Sequence, residues 1–517
     1  MAAQLAVRRW LTCLLCVGGA LRLLPLGAQS LWFDEVFTYQ AASRSLAHLF
    51  KTLIEDGQHP PLHYLITWLL LRCGEAEFWL RLPSALLGLA AIPGVFALTR
   101  RFADDRAGLI AAGLFTVSSY PVHYSHEARN TMPVCAAVVL ASWLLLEVET
   151  QPRRWIPYGL SVAAGLFVSN LMLPTLVGHG AFVVIARWPR PRLLRWLAAA
   201  GCAVASFGGW LLAIKLYNPD YAERFAPGQG SLDHAESALF TVLADFAVGY
   251  SRGFSKATAE VVFSVISLGI VVACALALSG AVQLIRERRA AFVLTGLVGP
   301  LAFAFLLAWK TNFHQTRYAI GAYPFFLMVV AVGASHALRV RASFSVFVAF
   351  VIVLNLVGVR NYLVLPVYHR DDFRSAARFF ERRLESDDLL IFDADWEDIT
   401  LRHYLKRPFD RLHHWMPSHR ALSPAEFARV IAARLGPATR ERKRVWLVLC
   451  YDEVTDPRGV VRAWLDEHWR RAEERRFAGY PQPVRVYRYE RRDSDAILQA
   501  LPRSAVRGDQ RLRAGTG

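Results

Sequence analysis

The stretch QSLWFDEVFTYQAASRSLAHLFKTLIEDGQHPPLHY, residues 29–64, separates the first apolar segment of the chain from those that follow. It holds an acidic pair, Asp34 and Glu35, shortly after an apolar run from Trp10 to Leu26. A polar loop with acids between apolar segments of spanning length indicates a polytopic membrane protein, with ionisable groups at the end of a span. This loop therefore bears on both the fold class and the first candidate site.

The composition of the 517 residues supports this class, with 54% hydrophobic and 12% aromatic residues and a mean hydropathy of +0.28. The net charge of +17 lies largely in short clusters of Arg and Lys between the apolar runs. Such clusters are typical of topology determinants, so they do not indicate nucleic-acid binding. The seven cysteines are odd in number and scattered, so no disulfide framework is expected.

The distribution of arginines predicts a cytoplasmic N-terminus and an extracytoplasmic loop around Asp34. Arg22 interrupts the core that a signal peptide would need, so the first apolar run is expected to remain as a transmembrane helix. Because Arg22 lies about five residues, or roughly 7 Å, from the outer end of this helix, it is expected to snorkel to the interface. The short run Pro61–Cys73 opens with a Pro-Pro pair and is expected to stay on the outer face.

Counting spans in this way predicts about eleven transmembrane helices in residues 1–365, with outer loops at 28–77 and 218–257. An amphipathic stretch in the second loop is expected to lie along the interface and cover the site. An odd number of spans leaves the C-terminal part outside. There the sequence predicts a small extracytoplasmic α/β domain at 366–490 and a loose polar tail at 491–517.

The α/β prediction depends on a change in periodicity after residue 368. Strands are predicted from DLLIFDA (388–394), RVWLVLCYD (444–452) and VRVYRYE (484–490). Helices are predicted from DDFRSAARFFERRL (371–384), DWEDITLRHYL (395–405) and PAEFARVIAARL (424–435). The alternation of the two patterns is typical of a sheet covered by helices.

Three segments on the predicted outer face combine acids with bases. They contain Asp34 and Glu35, then Glu127 and Arg129, then Lys310, His314 and Arg317. Ionisable groups near the membrane are costly unless they face a polar cavity, so all are site candidates. Any single one of them also fits an ordinary interfacial anchor or salt bridge.

A carboxylate beside cations suits the transfer of a group from a phosphate to a hydroxyl or amine. A phosphate monoester has a second pKa of about 6 and leaves as an anion without a protonating acid. One general base and basic side chains around the phosphate would suffice. We predict Asp34 as the base, with Asp56 as the alternative, and Arg317, Lys310 and His59 as phosphate partners.

A metal site is the minor interpretation. The sequence HYSHE at 123–127 matches neither HExxH nor HxxEH. His59 and His63 could share a helix face, but the Pro-Pro pair between them breaks the helix. No P-loop, GxSxG or dinucleotide motif occurs in the sequence. No cofactor is expected to be required, although two acids can hold a divalent metal.

Five stretches carry a resemblance to a known family. They are RLLPLGAQSLWFDEVFTY (22–39), HPPLHYL (59–65), RLPSALLG (81–88), YSHEARNTMP (124–133) and RYAIGAYPF (317–325). In this order they resemble the GT-C superfamily of membrane glycosyltransferases, especially the bacterial relatives of protein O-mannosyltransferases and lipid A aminoarabinose transferases. The sequence departs from the family pattern at Asn130-Thr131-Met132 and at His63-Tyr64.

The resemblance implies an inverting hexosyl- or pentosyltransferase at the outer face of the bacterial inner membrane. The donor would be a polyprenyl-phosphate sugar, and the acceptor a lipid, glycan or protein of the cell envelope. It places the base at Asp34 beside Glu35, Glu127 in the pocket wall and Arg317 near the lipid phosphate. Arg22, Asp56, His59, Arg129, Lys310 and His314 complete the predicted substrate-binding residues.

Two other classes of protein fit parts of the sequence. A transporter or lipid flippase would use ionisable residues in the middle of its spans and often contains inverted repeats. A non-catalytic scaffold would bind an envelope partner through the C-terminal domain. The acids at span ends and the lack of a convincing repeat favour the enzyme.

Overall fold

A computed structural model describes residues 2–74, 77–219, 230–256, 259–311, 315–394, 396–412 and 422–492. The chain divides into two compact units, one of Met1–Gln29 with Phe37–Tyr368 and one of Ser30–Val36 with His369–Gly517. The segment with Asp34 and Glu35 therefore packs with the C-terminal part of the chain. Most of the predicted tail at 491–517 lies outside the described residues.

The first unit is helical. Its α-helices in chain order are α1 (Ala2–Leu23), α2 (Phe33–Ala42), α3 (Leu46–Asp56), α4 (Leu62–Leu70), α5 (Glu77–Phe102), α6 (Asp105–Val117), α7 (Ser119–Ser125), α8 (Thr131–Glu147), α9 (Trp155–Val168), α10 (Leu173–Ile185), α11 (Arg190–Tyr217), α12 (Leu232–Val248), α13 (Tyr250–Gly253), α14 (Glu260–Arg286), α15 (Ala290–Lys310), α16 (Tyr323–Val340) and α17 (Ser345–Val364). The first turn of α2 belongs to the second unit. Short 3₁₀ helices cover Pro152–Arg154, Asn170–Met172, Thr316–Ala322, Ala342–Phe344 and Pro366–Tyr368.

Six helical segments of the described residues are long and apolar enough to cross a membrane. They are Glu77–Phe102, Arg190–Tyr217, Glu260–Arg286, Ala290–Lys310, Thr316–Val340 and Ala342–Val364. Two apolar helical segments, Thr131–Glu147 and Asn170–Ile185, are shorter. The apolar stretch after Asp105 is broken at Ser118 into α6 and α7. The count of about eleven spans stays a prediction.

Helix α16 is the central helix of the first unit, since every residue from Tyr323 to Ser335 is buried. It packs backbone to backbone against α14. A Cβ atom at Gly280 would lie 1.9 Å from the carbonyl oxygen of Val329, and one at Gly333 would lie 1.9 Å from that of Leu276. Small residues at a helix crossing allow this close approach and the dispersion contacts that stabilise helix pairs in lipid.

Segments with arginine clusters contact one another in the first unit. Arg101, at the end of α5, pairs with Glu147 at the end of α8, with 2.7 Å between Nη1 and Oε1. Arg289, before α15, donates to the carbonyl oxygen of Phe102 at 3.2 Å. These contacts join the end of α5 to the end of α8 and to the start of α15.

The stretch expected to lie along the membrane interface forms α12. Its last turns, from Val242 to Val248, are largely buried, where α12 packs against α14, α15 and α17. This half of the helix is part of the bundle. The position of the stretch along the membrane interface and over the site stays a prediction. Residues 220–229 of the same predicted loop lie outside the described residues.

The second unit contains a five-stranded sheet of order β2-β1-β3-β5-β4. The strands are β1 (Leu389–Phe392), β2 (Asp410–Arg411), β3 (Arg444–Leu449), β4 (Arg470–Phe477) and β5 (Val484–Glu490). Strand β1 is parallel to β2 and β3, whereas β5 is antiparallel to β3 and β4. The helices are α18 (Phe373–Arg383), α19 (Glu397–Tyr404), α20 (Pro424–Thr439), α21 (Asp452–Thr455) and α22 (Val460–His468).

Helices cover both faces of this sheet. On one face α18 and α19 pack on Trp446 and its neighbours, and on the other α20 and α22 pack on Leu447 and Tyr487. The stretches predicted as strands contain β1, β3 and β5. Those predicted as helices contain α18 and α19, whereas α20 extends beyond its predicted stretch to Thr439. All seven cysteines of the chain are free thiols in the structure.

Candidate active site

The acidic pair lies in the first turn of α2. Carboxylates are favourable there, because the free amide groups of a helix N-terminus carry partial positive charge. Glu35 has no exposed surface, whereas Asp34 is half-buried. Of the two carboxylates, only Asp34 has exposed surface. The catalytic role of the pair stays a prediction.

Asp56, His59 and Arg129 meet in the first unit. The Asp56 carboxylate lies 2.6 Å from His59 Nδ1, and His59 Nε2 lies 2.7 Å from Arg129 Nη2. Arg129 also donates to the Tyr64 hydroxyl at 3.3 Å. The end of α3 and the segment before α8, separate in sequence, thus contribute to one polar network.

The network determines the state of His59. Arginine has only donors, so Nε2 must accept from Arg129, and Nδ1 must carry the proton that it donates to Asp56. Both ring nitrogens are engaged. The histidine is thus neutral and positions Arg129, which is 5% exposed.

Local structure fixes the approach of His59 to this network. Gly57 caps α3 in the left-handed conformation, with φ of 74°, and donates its amide to the carbonyl of Leu53. Such a cap favours glycine and turns the chain out of the helix. Phe37 then packs on both His59 and Tyr64, with ring centroids 5.7 and 6.2 Å apart.

Burial and hydrogen bonding act in opposite directions on the Asp56 carboxyl. Burial alone raises its pKa, but the hydrogen bonds from His59 and from the Gln58 amide outweigh it and hold the pKa below the usual value. Asp56 is therefore ionised at neutral pH. Nearby, burial lowers the pKa of His63 to about 3, so His63 is neutral as well.

Glu127 lies in the interior of the first unit, 2% exposed. Its Oε1 is 3.0 Å from Nε2 of His123, which is equally buried. The neighbouring His126 lies 3.0 Å from the Leu21 carbonyl and 3.2 Å from the Tyr362 hydroxyl. Glu127 thus belongs to a group of buried polar side chains, and its place in the pocket wall stays a prediction.

The predicted segment with Arg317 contacts α7, which lies just before Glu127 and Arg129. Tyr120 and Tyr124 place their hydroxyl groups 2.8 and 3.2 Å from the backbone oxygen and the side-chain oxygen of Thr316. The next residue, Arg317, is half-buried, with its guanidinium 5.7 Å from the Tyr318 ring. Exposed Lys310 lies over Trp309 at 4.1 Å. His314 lies outside the described residues.

Arg22 does not reach the interface, so the prediction that it snorkels is wrong. It has no exposed surface, and its guanidinium donates to the carbonyls of Phe115 and Thr116 at 3.0 and 3.2 Å. Helix α6 ends at Val117, so carbonyls of its last turn have lost their helical partners.

We expect Arg22→Met to destabilise the protein. The role of Arg22 in substrate binding stays a prediction. The change leaves last-turn carbonyls of α6 buried without these donors, which costs about 1–3 kcal/mol each. The thermal midpoint of the full chain in detergent, measured as the monodisperse fraction by size exclusion, should fall. Arg9→Met, on the exposed side of the same helix, should not change it.

Arg81 is a second buried arginine whose structural role the sequence analysis missed. It is 2% exposed and donates to the carbonyls of Leu26 and Gln29 at 3.0 and 2.9 Å. These carbonyls lie in the irregular turn after α1. The arginine within RLPSALLG was the available signal, since a charge within a candidate span needs partners.

Two further observations concern cavities and metal ligands. A cavity of about 810 Å³ lies between α9 and α11 and contains none of the predicted site residues. Among the described residues, no group of three or more His, Cys, Asp or Glu side chains is arranged to hold a metal ion.

Part of the sequence matches a known protein family. Residues 58–210 match the family described as dolichyl-phosphate-mannose-protein mannosyltransferase. No curated protein has significant similarity to the sequence. The matched residues include His59, Glu127 and Arg129.

Solved structures share the fold. Apo ArnT from Cupriavidus metallidurans is 13% identical over 93% of this chain and 98% of its own, with a TM-score of 0.57. ArnT bound to undecaprenyl phosphate is 12% identical over 92% and 98%, also at 0.57. The apo oligosaccharyltransferase of Archaeoglobus fulgidus is 11% identical over 89% and 71%, at 0.52. The family match and the fold confirm the predicted resemblance to GT-C membrane glycosyltransferases, and with the apolar helices they identify an integral membrane protein.

Proposed function

On the premise of a GT-C glycosyltransferase fold, we propose that this chain transfers a sugar with inversion from a polyprenyl-phosphate donor to a cell-envelope lipid, glycan or protein. One observation carries the proposal: the family match over residues 58–210 spans the side chains, His59 and Arg129, that meet in the polar network. The donor class is further supported by ArnT, which was solved with undecaprenyl phosphate bound.

Asp34 is the proposed general base. Its carboxylate takes the proton of an acceptor hydroxyl or amine as the oxygen or nitrogen attacks the anomeric carbon. The bond from that carbon to the phosphate oxygen breaks, and the electron pair leaves with the polyprenyl phosphate. Attack from the side opposite the leaving group inverts the anomeric centre, and the phosphate needs no acid to depart.

Cations stabilise the charge that develops on the leaving phosphate. Arg317 and Lys310 are the proposed phosphate partners. His59 has both ring nitrogens engaged by Asp56 and Arg129, so we assign it to positioning Arg129 and withdraw it as a direct phosphate ligand. Arg129 then presents a fixed positive charge.

The proposed location is the bacterial inner membrane, with the N-terminus in the cytoplasm and the reaction on the extracytoplasmic face. The proposed reaction requires no cofactor, because a carboxylate base and a phosphate leaving group complete the chemistry. Turnover should therefore persist in EDTA, and loss of turnover restored by Mg²⁺ or Mn²⁺ would contradict this part of the proposal.

Mass spectrometry of polyprenyl lipids and envelope glycans from cells with and without the protein tests the function. We expect cells lacking it to accumulate a glycosylated polyprenyl phosphate and to lose one glycan, and the mass difference would identify a hexose or a pentose. Movement of a labelled solute or lipid in liposomes, without any sugar transfer, would instead identify a transporter or flippase. A normal product profile without the protein would contradict the enzyme.

A further inference from the structure

The segment just before Asp34 has an irregular backbone and is buried in the second unit. Residues 30–32 form neither helix nor strand, and Ser30, Leu31 and Trp32 are 4%, 2% and 8% exposed. Irregular buried backbone needs hydrogen-bond partners from elsewhere in the protein. Their identity determines what holds the first turn of α2 in place.

Two partners come from the helices that cover the sheet. The Leu31 amide donates to the Tyr404 hydroxyl at 2.7 Å, across 373 residues of sequence. The Arg374 amide donates to the Ser30 hydroxyl at 3.3 Å. Tyr404 is the last residue of α19, and Arg374 is in the first turn of α18, so both partners lie at helix ends fixed by the core.

Ring contacts hold the next two residues. The guanidinium of Arg370 lies 4.1 Å from the Trp32 ring, within the range of a cation–π interaction. The Phe33 ring lies 6.4 Å from that of Trp396, which precedes α19. Every residue from Ser30 to Phe33 therefore has a contact with the sequence beyond residue 369.

We propose that the C-terminal α/β unit positions the catalytic base, with Tyr404 and Arg370 as positioning residues for Asp34. This inference rests on the proposed role of Asp34 and adds a role for the C-terminal unit. A general base must be held within about 0.5 Å of its productive place, and an irregular segment alone does not provide that precision. The contacts at 30–33 provide it one residue before the base.

Tyr404→Phe in the full chain tests the inference, because it removes a single hydroxyl. We expect amide hydrogen exchange in a peptide covering residues 30–36 to rise at least about threefold, as local opening becomes easier. Release of polyprenyl phosphate, measured by mass spectrometry with the host lipid extract as donor, should fall about tenfold or more. The dissociation constant for undecaprenyl phosphate should not change. Arg370→Met should produce the same pattern.

Tyr489→Phe is the matched control, since it also removes one tyrosine hydroxyl bond of the second unit, the 3.0 Å bond to Asp466. It should leave both exchange at 30–36 and turnover unchanged. Unchanged exchange in Tyr404→Phe, faster exchange with normal turnover, or an equal loss of turnover in Tyr489→Phe would overturn the inference. An active Asp34→Asn protein would overturn the proposed function instead, whatever the exchange result.

Discussion

Replacing Asp34 by Asn is expected to lower sugar transfer about 10²–10⁴-fold, the usual contribution of a general base. The amide has nearly the same shape as the carboxylate but cannot take a proton from the acceptor. Asp34 is the half-buried member of the pair, whereas Glu35 is enclosed, so no second carboxylate of the pair is placed to replace it. Release of polyprenyl phosphate by the full chain in nanodiscs, with the host lipid extract as donor, measures the effect.

Asp233→Asn is the matched control, because Asp233 is also an acid in the first turn of a helix and is exposed. It should retain full turnover. The Asp34→Asn protein should still bind undecaprenyl phosphate, since the proposed lipid phosphate partners are Arg317 and Lys310. Full transfer by Asp34→Asn would remove Asp34 as the base and leave Asp56 as the predicted alternative.

Much of the fold follows from local patterns. Strands β1 and β3 are continuous apolar runs buried on both faces, and such runs between turn signals predict strands. Strand β4, RRAEERRF, was missed because it is an edge strand, paired only with β5, and charges suit its exposed faces. Nothing in its own periodicity distinguishes it from a charged loop.

The site was predictable in part. The order of the family-like stretches led to His59, Glu127 and Arg129, and two of these three side chains meet in the polar network. The prediction that Arg22 snorkels to the interface was wrong. Hydropathy gives the position of a residue along an apolar segment, but it does not show which backbone carbonyls need a hydrogen-bond donor. The association of Ser30–Val36 with the C-terminal unit had no local signal, since its hydrogen-bond partners lie more than 340 residues away.

Buried acids at the start of α19 make the stability of the second unit depend on pH. Burial, followed by the charges of Asp371 and Asp393, raises the pKa of Glu397 well above its usual value, and the Trp396 side chain offsets this only in part. Burial also raises the pKa of Asp393 from 3.8 to about 7, although backbone amides of Cys450 and Tyr451 donate to it. Both carboxyls therefore keep their protons to higher pH when folded.

The direction of the pH dependence of folding stability depends on whether the folded or the unfolded chain releases these protons at lower pH. The unfolded chain ionises these groups at their ordinary pKa values, so raising the pH stabilises the unfolded chain before the folded one. The stability that these two groups contribute is thus fully present below about pH 4 and is lost as the pH rises through their folded pKa values. For Asp393 alone, the shift from 3.8 to about 7 corresponds to a loss of about 4 kcal/mol.

Glu397→Gln is expected to stabilise the second unit at pH 7–8 and to make its stability less dependent on pH. The amide keeps the shape of the side chain but has no proton to lose. Pulse proteolysis of the full chain in urea at pH 5, 6, 7 and 8, with peptides of β1 and β3 followed by mass spectrometry, gives the midpoints. Glu467→Gln, on the exposed end of α22, is the control and should follow the native pH dependence.

Equal midpoints for the native and Glu397→Gln chains at pH 8 would show that Glu397 ionises in the folded unit without a loss of stability. The assignment of a protonated buried acid would then be wrong.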